Sequence, residues 1–490
     1  MFLERIVART RTDLQERKQT LPLEELRQQA LARPRPRDLL AAFEPRSRVH
    51  LIAEVKRASP SKGMLAPHLE PVEQARLYAA NGAAAISVLT EPHFFLGSPE
   101  YLTAIKQAVD VPVLRKDFIF DEYQVYEARA WGADAILLIC AILDDAQLRQ
   151  LLQVAHSLQM RCLVEVHSIE EAQRAVEAGA RIIGVNSRDL VTFQMNPNLV
   201  RDLRHILPPD RVIIAESGIH TDADARRLAR YDVQGMLVGE SLVVSDDVAG
   251  QMHMLLRGAN ESTQVKICGL RAPEHIDVAL EAGADLLGLI FYPPSHRYIE
   301  PGQVRAVLDA SSYPGGKADG ASRSRPDLVG VFVNEEADFI NDVAEQLDLH
   351  FVQLHGHESS EFCQRIRRPV IKALHLEGPA DLERLRDYQH VAWRLLLDTP
   401  TPSWGGTGAS HDWQLAGQAA RQARILLAGG LDPANVGEAL RQVQPWGVDV
   451  SSGVETDRQK DSAKIRAFVQ AVREPATMMR HGLTQPDKVQ

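Results

Sequence analysis

Short apolar, β-type runs alternate with longer helix-period segments from residue 50 onward, and the whole alternation occurs twice. In the first half the runs fall at 51–55, 84–89, 111–114, 135–139, 161–166, 182–185, 212–215 and 235–238. In the second they fall at 264–267, 286–291, 328–333, 351–354, 369–373, 394–397, 424–427 and 447–450. Strands that read as continuous apolar runs are buried on both faces, as in parallel sheets whose crossovers are helices. About eight such units in each half predict an α/β chain of two tandem (β/α)8 TIM barrels. An open doubly wound sheet would carry a glycine-rich dinucleotide fingerprint, and no GxGxxG occurs. Helix ends followed by Gly-Ala, at Gly82, Gly132, Gly179 and Gly283, predict glycine C-caps in tight turns into the next strand.

The 490 residues exceed one hydrophobic core. Residues 1–256 are expected to form the first barrel with a helical extension, 257–263 a polar linker, 264–475 the second barrel and 476–490 a tail. The small, polar stretch 311–326 cannot bury a core and is expected to be a disordered surface insertion. Residues 3–29 are amphipathic and predict a helix capping a barrel mouth, and the RPRPR run at 33–37 breaks it into a solvated loop.

A formal net charge of −10 argues against broad nucleic-acid or membrane surfaces and leaves room for a local basic pocket. No apolar run reaches the roughly 18 residues of a membrane span, and the charged first ten residues do not resemble a signal peptide. A cytoplasmic monomer acting on small molecules is expected. The four cysteines show no metal or disulfide spacing. His355 and His357 have no neighbouring ligands to complete a set, so no metal is expected.

In such a barrel, chemistry sits at the C-terminal strand ends. The first half places Glu54 and Lys56, Lys116, Glu165, Asn186 with Arg188, Glu216-Ser217-Gly218 and Gly239-Glu240 there. Glu54 and Lys56 are two apart and share one strand face. Any one of these could be a surface ion pair beside a turn, but a polar ring at most strand ends points to a site. Lys116 is a candidate acid, and Glu54 and Glu165 are candidate bases. The hydroxyl- and glycine-bearing turn 59–63, with Ser59, suits an anion such as phosphate, as do the two late glycine turns. In the second half a thiol, Cys268, ends the first strand and a carboxylate, Asp398, ends the sixth. The latter precedes a glycine-rich loop containing Gly406 and Gly408. Gly429-Gly430 and the turn Asp449, Ser451, Ser452, Gly453 follow the last two strands, where phosphate is expected.

Residues 54–61 (EVKRASPS), 88–91 (VLTE), 114–118 (LRKDF), 163–166 (LVEV), 184–190 (GVNSRDL) and 215–219 (AESGI) make the first half resemble indole-3-glycerol-phosphate synthase. The resemblance implies cofactor-free ring closure, decarboxylation and dehydration of 1-(2-carboxyphenylamino)-1-deoxyribulose 5-phosphate. It implies Lys116 as general acid, Glu165 as the proton-transfer partner in dehydration, and Glu54 with Lys56 in the supporting charge network. The two glutamates' shares could be exchanged. It further implies Asn186 and Arg188 as orienting groups, Phe95 as an aromatic wall, and Ser59, Ser217, Gly218, Gly239 and Glu240 as pocket and phosphate lining.

Residues 266–270 (KICGL), 291–298 (FYPPSHRY), 353–356 (QLHG), 395–399 (LLLDT), 427–431 (LAGGL) and 448–455 (VDVSSGVE) make the second half resemble phosphoribosylanthranilate isomerase. That resemblance implies an Amadori rearrangement with Cys268 as general base, Asp398 as general acid and Arg297 on the substrate carboxylate. The second half's product would then be the first half's substrate. The alternatives are a chain with one active barrel, or a phosphosugar-binding regulatory protein.

Overall fold

A computed structural model describes residues 2–44, 48–60, 62–189, 192–204, 206–208, 210–313, 326–398 and 413–473. They form two compact units that divide between Ser262 and Thr263. In each, eight parallel strands close into a barrel in sequential order. The first barrel comprises β1 (His50–Val55), β2 (Ala83–Leu89), β3 (Val113–Lys116), β4 (Ala135–Ile139), β5 (Arg161–Val166), β6 (Ile182–Asn186), β7 (Val212–Glu216) and β8 (Gly235–Val238). The second comprises β9 (Gln264–Cys268), β10 (Leu286–Ile290), β11 (Asp327–Phe332), β12 (Phe351–Leu354), β13 (Val370–His375), β14 (Arg394–Asp398), β15 (Ile425–Leu427) and β16 (Gly447–Val450).

Side-chain parity does the positioning. Ile52, Leu114, Leu163, Ile182, Ile214 and Leu237 fill the first barrel's interior. A residue two further along each strand faces the same way, one layer nearer the mouth. Glu54, Lys116, Glu165, Gly184, Glu216 and Gly239 are those residues. Several strands run past the apolar stretch that announces them. β3 extends to Lys116 because the charged Arg115 is itself buried, its guanidinium 4.2 Å from the Trp131 ring and 2.9 Å from Asp117 Oδ2. The four Gly-Ala glycines all take φ between 85° and 100°, and Gly132 and Gly283 are the left-handed C-caps of Glu122–Trp131 and Pro273–Ala282. That region is nearly free of strain only for glycine.

Three expectations need correction or restriction. The N-terminal segment is two helices, α1 (Phe2–Thr20) and α2 (Leu23–Leu31), broken at Pro22. The Phe2 ring packs edge-on against Phe94 and Phe193, two loops of the mouth, so α1 does lie over the first barrel's opening. The linker is shorter than 257–263. Residues 257–260 complete helix Val248–Asn260, whose last side chain donates to Val49 O at 2.9 Å and accepts from Val49 N at 2.8 Å. An asparagine amide that satisfies both groups of one backbone residue fixes that helix end to the entry of β1. Of the 311–326 insertion only the flanks are described, where buried Tyr313 donates to Pro326 O at 3.0 Å. Residues 314–325, like the 476–490 tail, lie outside the described residues.

Candidate active sites

At the mouth of the first barrel, Lys116 Nζ lies 3.5 Å from Glu216 Oε2, 3.6 Å from Glu165 Oε2 and 3.7 Å from Glu54 Oε2. Glu54 Oε1 in turn binds Lys56 Nζ at 2.9 Å. Burial alone would favour neutral Lys116, but the surrounding carboxylates outweigh it and hold the ammonium well above its usual range. Burial also opposes ionisation of Glu54, yet Lys56 and Lys116 keep its carboxyl below the ordinary value. Glu165 is held down to about 2, Lys116 and His167 outweighing burial, and Asn186 Nδ2 donates to its Oε1 at 3.2 Å. Glu216 goes the other way. Burial, and then the charge of Glu165, push it up to about 8. With Glu216 neutral, Glu54 and Glu165 still keep Lys116 protonated. One small volume therefore holds a proton donor, an ionised carboxylate and a protonated carboxyl whose proton affinities are pushed apart, which is what sequential acid and base steps require.

The remaining first-half candidates surround this cluster. Ser59, Phe95, Asn186, Arg188, Ser217, Gly218, Gly239 and Glu240 all line the mouth cavity, with Phe2, Leu3 and Ile6 of α1. Ser217 Oγ donates to Asn186 Oδ1 at 2.8 Å, from a backbone at φ 66°. Gly218 has φ 70°, and a Cβ there would meet Met195 Cε at 2.6 Å. The Ser59 hydroxyl is buried without a partner, a group that a ligand oxygen would satisfy. The Glu240 carboxylate is bound by Lys62 and lies 3.9 Å from Arg188 Nη2. Burial resists its charge, but Lys62 keeps it below the ordinary carboxyl range.

In the second barrel, parity again decides which side chains enter. Cys268 and Asp398 are both buried at their strand ends. His355 Nε2 lies 3.2 Å from Asp398 Oδ2, and its Nδ1 is 2.8 Å from Gln353 Nε2. Arg297 is held by Glu455 through two bonds, Nε at 2.7 Å and Nη2 at 2.8 Å. Glu455 also binds Lys460, and these partners overcome burial to hold its carboxyl down to about 2. Gly429 and Gly430 take φ 78° and 64°, leaving their turn bare of side chains. Ser451 Oγ donates to Cys268 O at 3.2 Å, and Gly453 is pressed against Leu431 O. Asp449 does not belong to the phosphate turn as expected: its carboxylate points into the barrel and binds Lys266 Nζ at 3.0 Å, and an anion there would repel a phosphate. Gly406 and Gly408 lie outside the described residues.

Residues 3–255 match the family model described as indole-3-glycerol phosphate synthase, and residues 265–471 match that of N-(5'-phosphoribosyl)anthranilate isomerase. A tryptophan biosynthesis protein of Phytophthora nicotianae is 37% identical over an alignment of 510 residues that covers 91% of this chain and 96% of that protein. The chain belongs to the fused synthase–isomerase family of tryptophan biosynthesis. The TrpCF protein of Yersinia pestis is 39% identical, covering 86% of this chain and 84% of its own length. The chain spans about 62% of the multifunctional tryptophan biosynthesis protein of Phycomyces blakesleeanus, with 39% identity over 86% of this chain.

His167 joins the first site without any sequence signal, while Glu216 stands visibly at a strand end, two residues beyond the interior Ile214, with no role assigned to it from sequence. His167 Nε2 lies 3.2 Å from Glu165 Oε1 and its Nδ1 3.3 Å from Glu171 Oε2, and these carboxylates overcome burial to raise the imidazole to about 10. Lys266 and Glu455 stand in the 266–270 and 448–455 motifs, but they pair with partners distant in sequence, so their roles cannot be read locally.

Glu216 also carries a stability prediction. A carboxyl raised from its ordinary 4.5 to about 8 binds its proton more tightly in the folded state. Its contribution is complete below the unfolded value and is lost as pH rises through about 8. Glu216→Gln imitates the protonated form and cannot titrate. Calorimetry should show the variant's synthase transition losing less stability than the wild type between about pH 6 and pH 9, by on the order of 1–2 kcal/mol. Equal losses would mean that Glu216 is already ionised at the lower pH.

Proposed function

We propose that the chain catalyses two consecutive steps, with chain order opposite to reaction order. The isomerase barrel converts N-(5-phosphoribosyl)anthranilate to 1-(2-carboxyphenylamino)-1-deoxyribulose 5-phosphate. The synthase barrel closes, decarboxylates and dehydrates that product to indole-3-glycerol phosphate, releasing CO₂ and water. The observation that carries the reading is the protonated Lys116 within 3.7 Å of three carboxylates at a barrel mouth.

In the isomerase barrel, Asp398 protonates the ribose ring oxygen as the ring opens, and Cys268 takes the C2 proton. The electron pair from the broken C–H bond forms the enolamine that relaxes to the ketone. His355 orients Asp398, Arg297 meets the substrate carboxylate, and the Gly429-Gly430 and Ser451-Ser452-Gly453 turns hold the phosphate together with Gly406 and Gly408, which follow Asp398 in sequence. In the synthase barrel, Lys116 protonates the carbonyl oxygen as the aromatic ring carbon attacks. Glu165 moves the proton during dehydration, and Glu54 with Lys56 fixes the charge network. Asn186 and Arg188 orient the substrate, Phe95 walls the aromatic ring, and Ser59, Ser217, Gly218, Gly239 and Glu240 line the pocket and its phosphate end. These side chains perform both reactions without a cofactor. The chain is read as a cytosolic monomer; its four free, buried cysteines fit a reducing compartment.

Substrate carrying an isotopic label in the anthranilate carboxyl tests this directly. One labelled CO₂ should be released per indole-3-glycerol phosphate formed, and consumption without release would contradict the synthase assignment. A Gly239→Ala variant gives a local check. The added Cβ would lie 2.6 Å from Glu54 Oε1 and 3.1 Å from Glu54 Cβ, displacing that carboxylate. A displacement of this size is expected to lower synthase kcat by about 10²-fold, while isomerase turnover persists.

A further inference from the structure

The isomerase barrel buries a lysine that the proposed chemistry does not use. β9 puts Lys266 and Cys268 on the same interior face, two residues apart. Lys266 is fully buried, and its Nζ is bound at 3.0 Å by Asp449 Oδ1, its register partner on β16. The Cys268 thiol is the second group that acts on its charge. Gly288 on β10 provides the space for that contact: a Cβ there would lie 2.8 Å from Cys268 Sγ and 3.1 Å from Lys266 Nζ. The other nearby cations are engaged elsewhere. Lys460 Nζ binds Glu455 Oε1 at 2.8 Å and Ser451 O at 2.8 Å, and Arg297, packed against Gly269, is doubly bonded to the same Glu455.

We propose that Lys266 is the positioning residue that makes Cys268 a usable base, its ammonium stabilising the thiolate through the gap above Gly288, while Asp449 anchors that ammonium and limits its effect. This rests on the reading of Cys268 as the base of the isomerase barrel. Burial holds the Cys268 thiol above its ordinary range; Lys266 is the largest influence against that rise, Asp449 adds to it, and Lys460 opposes it. Burial disfavours charged Lys266, but Asp449 and Cys268 outweigh it and keep the ammonium protonated. A buried thiol without such a cation would be inert at neutral pH.

The test is the pH dependence of Cys268 alkylation by iodoacetamide in the full-length protein without substrate, followed by mass spectrometry of the Cys268 peptide. Lys266→Met should raise the thiol pKa by about one unit or more and slow alkylation at neutral pH about tenfold. Asp449→Asn should do the opposite, because the ammonium is left with the thiol as its counter-ion. General loosening of the barrel would accelerate both variants, so opposite signs separate electrostatics from damage. Lys266→Met alkylating as fast as the wild type overturns the proposal; should that variant not fold, an Asp449→Asn protein without acceleration overturns it. Isomerase pH profiles separate the underlying reading. If the thiol pKa moves in both variants but the acid limb of kcat/KM does not follow, Lys266 tunes the thiol and Cys268 is not the base.

Discussion

Lys116→Met is expected to lower synthase turnover by about 10³-fold or more, the scale of losing a positioned general acid, and to leave isomerase turnover in place. Supplied with N-(5-phosphoribosyl)anthranilate, the variant should accumulate the carboxyphenylamino-deoxyribulose phosphate. The size of the effect follows from the geometry. Lys116 is the cation nearest three carboxylates at once, at 3.5, 3.6 and 3.7 Å. Removing it takes away the proton donor and also leaves Glu54 and Glu165 facing each other without their shared counter-ion. Lys56 stays on Glu54 and His167 on Glu165, but the mutual repulsion of the two carboxylates raises the proton affinity of one, so residual synthase activity should shift to higher pH than in the wild type. Residual activity with an unchanged pH profile would show that the carboxylates are not coupled through Lys116.

Asp398→Asn and Cys268→Ala should each stop the isomerase barrel by roughly 10²- to 10⁴-fold. Both variants should still convert added carboxyphenylamino-deoxyribulose phosphate to indole-3-glycerol phosphate. Asp398→Asn keeps a group of the same shape beside His355 Nε2, 3.2 Å away in the wild type, so its loss reports on proton transfer more than on packing. A measured decrease in KM-level binding alone, with kcat retained, would remove Asp398 from the chemistry. Fluorescence of the consumed substrate gives the first step, and the indole product gives the second.

Much of this was readable before any coordinates. Continuous apolar runs locate strands because both faces of a barrel strand are dry, and the ends of those runs locate Glu54, Glu165, Cys268 and Asp398. The limits have physical causes as well. Reading a strand as an apolar run stops at Leu114, whereas β3 continues to Lys116 because Arg115 is buried against Trp131. Glu216 ends its strand as visibly as Glu165 does, yet its raised proton affinity arises from burial and from Glu165 and Glu54 on β5 and β1, against the pull of Lys116, an environment that exists only when the barrel closes. Asp449 sits among turn-forming residues in sequence and turns inward to Lys266, a choice set by a partner 183 residues away. A polar composition suggested a linker at 257–260, but a single asparagine amide paired with Val49 keeps those residues helical.

Mixing two inactivated proteins tests the account of two independent sites most directly. Lys116→Met alone should stop at the carboxyphenylamino-deoxyribulose phosphate, and Cys268→Ala alone should leave N-(5-phosphoribosyl)anthranilate unconsumed. Combined in one tube, they should carry the first substrate through to indole-3-glycerol phosphate, each supplying the barrel the other lacks. A mixture that stays inactive, or either variant completing both steps by itself, would contradict the assignment of one reaction to each barrel.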